Sequence, residues 1–144
     1  MTTIRCARTY DAAAIAELCG QLGYPANRQQ VVTRLAAIDA SGAACVFVAE
    51  DAQGHLSGWL HVAQSAQLTA DPAAEILGLV VAERARGFGI GADLVRAAET
   101  WACRRGCAEL RVRSRVERER AHRFYERAGY TRVKTQAVFG KPVD

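Results

Sequence analysis

Two segments early in the chain carry apolar residues at helical spacing, which predicts two helices. The first opens at Asp11, after a predicted strand over residues 3–8, and is punctuated by Gly23. The second follows Asn27, a suitable N-cap, and ends by Gly42. The apolar residues of the two faces are Ile15, Leu18, Leu22, Val31, Leu35 and Ile38.

Apolar and β-branched runs predict strands in the middle of the chain. Residues 44–50 are rich in β-forming types, residues 51–54 form a turn cluster, and residues 55–62 resume an extended pattern. This order is typical of a hairpin. A softer loop around residues 64–72 is expected to lead into another strand over residues 74–81.

Helices and strands alternate in the second half. One helix follows a glycine-rich turn and closes at Gly106, a strand is expected over residues 107–113, and a last helix ends at Gly129. The capping-box spacing of Ser114 and Glu117 marks the start of that helix. One or two final strands over residues 130–139 complete the order β-α-α-β-β-β-α-β-α-β(β). The pattern predicts an α/β (α+β) fold with a mixed central sheet of six to seven strands, in a single domain over residues 1–144.

Charge is distributed unevenly along the chain. Residues 1–83 hold four Arg against eight acids, whereas residues 84–144 hold thirteen Arg and two Lys against seven acids. The second half is therefore expected to bind an anionic ligand. Its Arg residues are interspersed with Glu instead of forming a continuous basic stripe, so no nucleic-acid partner is expected. No run approaches the roughly 20 apolar residues of a membrane span, which predicts a cytoplasmic protein without a membrane partner. Five cysteines without metal-ligand spacing are interpreted as reduced, and no metal site is expected.

The most informative motif is the glycine-rich turn over residues 86–92. It follows an apolar strand and runs into a helix, an arrangement in which bare backbone N–H groups and the helix dipole bind a phosphate. A dinucleotide-binding fold is disfavoured because the turn lies mid-chain, behind an antiparallel meander, and because the following strand ends in Arg113-Ser114 where an acid is required. A Walker A loop is excluded because no Lys-Ser or Lys-Thr follows the glycines.

Two separated motifs resemble the GNAT superfamily of acyl-CoA-dependent N-acetyltransferases. Residues 86–91, Arg-Gly-Phe-Gly-Ile-Gly, fit the signature [RQ]-x-x-G-x-[GA]. Residues 121–130, from Ala121 through Phe124-Tyr125 to Gly129-Tyr130, fit A-x-x-F-Y-x-x-x-G-[FY]. The resemblance covers residues 74–132 closely and implies a splayed, V-shaped cleft for acyl-CoA between two strands of the sheet.

The resemblance also implies the residues that bind acetyl-CoA, the co-substrate. The backbone of a strand pairs with the pantetheine arm, the glycine turn holds the pyrophosphate, and Ser114 lies near the thioester or simply caps a helix. Arg118 stands where the family often has Asn, so it either contacts CoA or is solvated. The implied contacts are Leu79, Val80, Val81, Arg86, Gly87, Phe88, Gly89, Ile90, Gly91, Ala92, Ser114, Arg118 and Phe124, the last of which also suits a core position.

Two catalytic residues follow from the same resemblance. Tyr125 is expected to donate a proton to the leaving thiolate, because a phenol of pKa about 10 can protonate a thiolate of pKa about 8.5. The alternative is a packed aromatic residue. Glu75 is the candidate base that relays a proton from the amine through water, although an exposed strand-end carboxylate is the ordinary interpretation.

The resulting prediction is an N-acetyltransferase that moves an acetyl group from acetyl-CoA to a primary amine by direct transfer in a ternary complex. The alternatives are a transferase of a longer acyl group and a non-catalytic acyl-CoA-binding module. A homodimer is expected. The acceptor, a small molecule or peptide amine, is not disclosed by the sequence; Tyr24, Trp59, Gln136 and Phe139 are candidates to line its site.

Overall fold

The computed structural model of the protein describes residues 1–144. They divide into two compact units, Met1–Arg113 and Ser114–Asp144. The larger unit contains all five strands, namely β1 (Thr3–Cys6), β2 (Ala44–Glu50), β3 (Leu56–Gln67), β4 (Ala70–Val81) and β5 (Leu110–Val112). They form one sheet in the order β1-β2-β3-β4-β5. A mixed α/β fold is therefore confirmed, with five strands in place of the six to seven expected.

The sheet is antiparallel except at one edge, where β4 and β5 run parallel. Their ladder is short, since it extends only from Ala74 opposite Leu110 to Ile76 opposite Val112. β4 continues to Val81, so residues 77–81 have no strand beside them on that edge. β5 ends where this ladder ends, so β4 has a free edge at the place where the predicted cleft is expected.

Three helices belong to the larger unit: α1 (Ala12–Leu22), α2 (Arg28–Ser41) and α3 (Ile90–Arg104). α1 and α2 pack on each other and on one face of the sheet, and α3 packs on the other face. The largest fully buried side chains are Leu60, Leu94, Val48 and Val62. As predicted, Asn27 caps α2, because its side chain accepts the N–H of Gln30 at 2.8 Å while its own N–H donates to the Gln30 side chain at 3.0 Å.

A buried carboxylate fixes the start of α1 against β1. Asp11 is only 5% exposed and forms two hydrogen bonds with the Arg5 guanidinium, at 2.8 and 2.9 Å. It also accepts the backbone N–H of Arg8 at 2.7 Å. Arg5 in turn donates to Glu50 of β2 at 3.0 Å. Burial alone raises the pKa of Asp11, but the hydrogen bonds and charge of Arg5 outweigh it, so the pKa lies below its ordinary 3.8.

The expected loop over residues 64–72 is wrong. β3 extends to Gln67, β4 begins at Ala70, and Gln67 is paired with Ala70 across a tight turn. The sequence pattern does not indicate this hairpin extension because residues 64–73 contain one β-branched residue and no aromatic residue, whereas backbone pairing with a long neighbouring strand depends little on side-chain type.

Two predictions for the last 31 residues also need correction, namely the start of the final helix and the strands after it. The helix, α4, spans Glu119–Arg127 with Arg118 at the N-cap, so the capping box at Ser114 does not form. No strand occurs over residues 130–139, and every residue from 131 to 144 is exposed. The predicted final strands are therefore absent, and the sheet has five strands.

No helix is long and apolar enough to cross a bilayer. All five cysteines are free thiols. The expectation of a single domain over residues 1–144 stays a prediction.

Candidate active site

Glycines set the backbone of the turn that follows β4. After a short 3₁₀ turn over Glu83–Ala85, Gly87 and Gly89 adopt φ values of 88° and 81°. This left-handed region carries no steric penalty for glycine alone. Gly89 is the N-cap of α3, so the chain enters the helix directly from the turn.

The turn presents a row of backbone donors. From Gly87 to Ala92, no backbone N–H donates to an acceptor of the protein, and the first one that does is Asp93, which bonds to the Gly89 carbonyl at 3.0 Å. Six successive N–H groups beside the positive end of a helix dipole suit an anion. The space above the glycines is open, because a Cβ at Gly87 or Gly89 would meet no atom within 4 Å. A pyrophosphate therefore fits this turn.

The side chains of the turn have different environments. Phe88 is 77% exposed, whereas Ile90 is buried in the core and presents only its backbone. Arg86 turns back on the preceding strand, and its Nε donates to the Val81 carbonyl at 3.1 Å. The arginine of the predicted signature thus holds the end of β4 next to the glycines.

The free edge of β4 carries unpaired backbone groups at alternate residues. The N–H of Ala82 donates to Ser57 at 2.7 Å, on the β3 side. Because backbone groups alternate in direction along a strand, those of Val80 also face β3, and those of Leu79 and Val81 face the free edge. Of the three residues expected to pair with pantetheine, Leu79 presents its N–H and carbonyl to the free edge, and Val81 presents its N–H because its carbonyl already accepts Arg86. Val80 is buried.

A β-bulge lies where β4 and β5 separate. His61 is opposite Gly78 and Val62 is opposite Ile76, so Leu77 is an extra residue in β4. Its side chain is 54% exposed. Such a bulge increases local twist and redirects the strand. No sequence pattern indicates this bulge, because residues 76–81 are an unbroken run of apolar residues and glycine without polar-apolar alternation.

Glu75 lies next to this bulge and is held by an ion pair. Its Oε1 is 2.5 Å from Nε of Arg113, the residue that follows β5, and its side chain is 19% exposed. The candidate base is therefore half-buried with one oxygen already engaged. Arg113 was absent from the predicted site. The signal that could have revealed it is its position directly after the strand β5, which runs parallel to β4 beside Glu75.

The remaining predicted residues belong to the smaller unit. The Tyr125 ring forms edge-on contacts with Phe124 and Tyr130, with centroid distances of 5.1 and 6.0 Å. Burial raises the pKa of Tyr125 to about 12, although the charge of Arg118 opposes this. The phenol is therefore neutral, as a proton donor must be. Ser114 has a buried Oγ without a hydrogen-bond partner.

One candidate for lining the acceptor site is corrected by the structure. Trp59 is 9% exposed, and its ring packs so closely over Gly78 that a Cβ there would lie 2.8 Å from it. Trp59 is thus a core residue. Tyr24 and Phe139 are exposed.

The fold, the divided strand pair and the donor-rich turn together define the class of protein, and comparison with known proteins confirms it. The chain is an acetyltransferase. The model of the acetyltransferase (GNAT) family matches residues 12–130, and the chain belongs to that family. The matched residues include both motifs that carried the resemblance.

Individual relatives agree with this assignment. An aminoglycoside N(6')-acetyltransferase type 1 of Stenotrophomonas maltophilia is 30% identical over 146 residues, which span 99% of this chain and 94% of the relative. A putative acetyltransferase from Agrobacterium tumefaciens superposes with a TM-score of 0.86 at 26% identity, covering 96% of this chain and 99% of that one. The aminoglycoside acetyltransferase AAC(6')-Iy, solved with a bisubstrate analogue containing CoA, has the same fold, with a TM-score of 0.86, 18% identity and 99% coverage of both chains.

Proposed function

We propose that the protein transfers an acetyl group from acetyl-CoA directly to a primary amine while both substrates are bound. The observation that carries this proposal is the continuity of the free β4 edge with the donor-rich turn. An extended arm ending in a pyrophosphate needs a strand edge followed by a cluster of N–H donors. Residues 77–92 offer both in that order.

Acetyl-CoA is assigned to these groups by chemistry. The N–H and carbonyl of Leu79 and the N–H of Val81 bind the amide-rich arm, and the N–H groups from Gly87 to Ala92 bind the pyrophosphate. When bound, acetyl-CoA supplies the activated acetyl group. From the smaller unit, we propose Ser114, Arg118 and Phe124 as further contacts. The unpartnered hydroxyl of Ser114 supports its part in this proposal.

Tyr125 is proposed as the general acid. Attack of the amine expels a thiolate, and a neutral phenol can give it a proton. The raised pKa of Tyr125 supports this role because the group stays protonated throughout the usual assay range. No acyl-enzyme is required, since no cysteine of the protein takes part in the proposed site.

Glu75 is proposed to draw the proton away from the amine through water. Its position beside the bulge supports this role, because the free edge of β4 starts there. Its ion pair with Arg113 fixes the carboxylate in place. The carboxylate also attracts a substrate ammonium group.

The proposed acceptor is a cationic amine of the aminoglycoside or polyamine kind. The aminoglycoside acetyltransferase that is 30% identical over nearly the whole chain supports this choice. The excess of acids in residues 1–83 supports it as well, because a polycationic substrate is drawn to negative charge. A panel that compares aminoglycosides, polyamines and lysine peptides tests the class.

The decisive experiment measures release of free CoA thiol from acetyl-CoA across that panel, with mass spectrometry of the acetylated amine. Transfer to at least one amine supports the proposal. If no amine causes release of CoA thiol while the protein still binds CoA, the protein is a binding module and not a transferase. Faster turnover with a longer acyl-CoA supports the alternative transferase.

We further propose that the protein works as a homodimer in the cytoplasm. Four apolar side chains in the exposed segment over residues 131–144 support self-association, since exposed apolar residues favour contact with another chain. They are Val133, Val138, Phe139 and Val143. Free thiols at all five cysteines suit a reducing compartment. Light scattering of the full chain against a chain ending at residue 130 tests the dimer.

A further inference from the structure

A histidine without a partner lies on the sheet beside the bulge. His61 of β3 is half-buried, sits opposite Gly78 of β4, and has no hydrogen bond or ion pair within the protein. The ring nitrogens of His61 are not among the fully buried polar atoms that lack a partner, so they reach solvent and can bond to water or to a substrate. The other two histidines differ, since His55 is exposed in a turn and His122 contacts the Arg115 carbonyl at 2.8 Å.

The register places His61 on the same face of the sheet as Glu75. Side chains alternate along β3, so His61 and Ala63 share a face, and Ala63 is directly opposite Glu75. His61 and Glu75 are therefore diagonal neighbours across adjacent strands, a separation of roughly 7–8 Å between Cα atoms that a single water can bridge. This face is the one that α1 and α2 cover. Gly58, of opposite parity in β3, faces Leu94 of α3.

Few other ionisable groups face this imidazole. On β2 its neighbour is Val46, and α2 has only exposed ionisable residues. On α1, Glu17 is exposed and Cys19 is partly buried. On β4 the group is Glu75, which is already paired with an arginine. Burial, and no nearby charge, lowers the pKa of His61 below its ordinary 6.5, so the ring is neutral at pH 7.

The position also matches the proposed reaction centre. β5 stops pairing at Ile76, Leu77 bulges, and the free edge begins, all within two residues of the point where β4 faces His61. A neutral imidazole there is suited to general-base catalysis, because the pKa of an imidazole lies close to the working pH.

We propose that His61 is the proton acceptor for the substrate amine, at the end of the water relay that begins at Glu75. This inference rests on the proposed N-acetyltransferase function. Glu75, held by Arg113, orients the ammonium group and the water, and His61 takes the proton.

The substrate ammonium loses one proton to His61, and the freed lone pair forms the N–C bond to the acetyl carbon while the C–S bond breaks. The thiolate takes the hydroxyl proton of Tyr125. The second proton of the new amide nitrogen passes through solvent to restore the phenol. The imidazolium of His61 releases its proton to bulk water, so one proton leaves per turnover.

The test compares the purified full-length protein with its His61→Asn, Glu75→Gln and His55→Asn variants. Each is assayed with the best amine of the panel from about pH 5 to pH 10. In the wild type, kcat/KM rises with pH to a plateau through a pKa below 6.5. In His61→Asn we expect about 100-fold lower kcat at pH 7, as is typical of losing a general base. The fall in kcat/KM at low pH that is due to His61 should disappear. The rate should instead keep rising with pH until the pH reaches the pKa of the amine.

The controls separate a catalytic role from a structural one. His61→Asn should bind acetyl-CoA with unchanged affinity and melt within a few degrees of the wild type, and His55→Asn should keep the wild-type profile. If the asparagine variant does not fold, His61→Phe keeps the buried ring and should show the same loss. The double variant of His61 and Glu75 should be no slower than the worse single variant, because both act on one proton.

Two results would overturn the proposal in distinguishable ways. If His61→Asn keeps this fall at low pH and its turnover within about threefold, a change too small for a lost base, His61 is not the acceptor and the N-acetyltransferase function stands. If the wild type acetylates no amine while binding acetyl-CoA, the proposed function fails, and the base fails with it.

Discussion

Replacing Tyr125 with phenylalanine tests the proposed acid while changing a single oxygen atom. Burial raises the pKa of this phenol from 10.0 to about 12. This favours the neutral form by about 3 kcal/mol, and at pH 8 roughly one molecule in ten thousand is ionised. The phenol of Tyr125 is therefore protonated, and able to donate, in nearly every molecule.

The same pKa limits how much the acid can contribute. General acids contribute about 10²–10⁴-fold when their pKa matches the task. A phenol of pKa near 12 gives its proton uphill to a thiolate of pKa about 8.5, so the contribution falls towards the lower end. We expect Tyr125→Phe to lower kcat by about 10- to 100-fold and to leave acetyl-CoA affinity nearly unchanged. The wild-type profile should show no alkaline limb from this residue within the assay range.

The assay is thiol release at saturating acetyl-CoA, with binding measured separately by calorimetry. Tyr130→Phe is the matched control, because it removes the same atom from the ring that lies 6.0 Å from Tyr125. The control should keep turnover within about threefold, well short of the loss of an acid. Unaltered turnover in Tyr125→Phe, with rapid-quench kinetics showing that chemistry limits the rate, would refute the assignment.

Three further predictions concern the turn, the ion pair and the sheet. Gly89→Glu should abolish CoA binding, since a side chain at φ 81° is strained and its charge repels the pyrophosphate, whereas Gly89→Ala should bind more weakly; calorimetry measures both, and full affinity in the Glu variant would move the phosphate site elsewhere. Asp11→Asn should cost about 1–3 kcal/mol at pH 7, because it weakens the charge-assisted hydrogen bonds to the half-buried Arg5, which keeps its bond to Glu50. Since the folded pKa of Asp11 is lowered, the wild-type advantage holds above about pH 4 and disappears as the pH falls through the folded pKa, which urea unfolding at several pH values can follow; an advantage that persists at low pH contradicts this. Gly58→Ala should destabilise by about 1–3 kcal/mol, because its Cβ would lie 2.6 Å from the Val80 carbonyl oxygen; an unchanged melting temperature would show that the strands can separate freely.

The sequence predicted helix ends and turns correctly where a residue determines the backbone of its immediate neighbours. Asn27 caps α2, Gly23 and Gly42 end their helices in the left-handed conformation, and the glycine turn leads into α3 as expected. In each case a side chain, or the lack of one, settles the backbone within four residues, so the sequence contains the whole cause.

The errors occur where structure depends on distant pairing. The β3–β4 hairpin extends to Gln67 and Ala70 because two backbones meet, and its side chains carry no strand signal. Trp59 looked available to a substrate but is covered in the fold. The role proposed for His61 arises only from register, since an imidazole acquires a carboxylate neighbour 14 positions away through the bulge at Leu77.

β4 offers backbone groups along its free edge and side chains on its face, and these two sets of groups can evolve independently. The groups that we propose for the co-substrate, at Leu79, Val81 and the glycine turn, are peptide amides, which most substitutions preserve. The groups that we propose for the amine, on the adjoining face, are side chains, which every substitution changes. A lineage of this protein can therefore acquire a new acceptor by altering a few residues on that face while its acetyl donor stays the same.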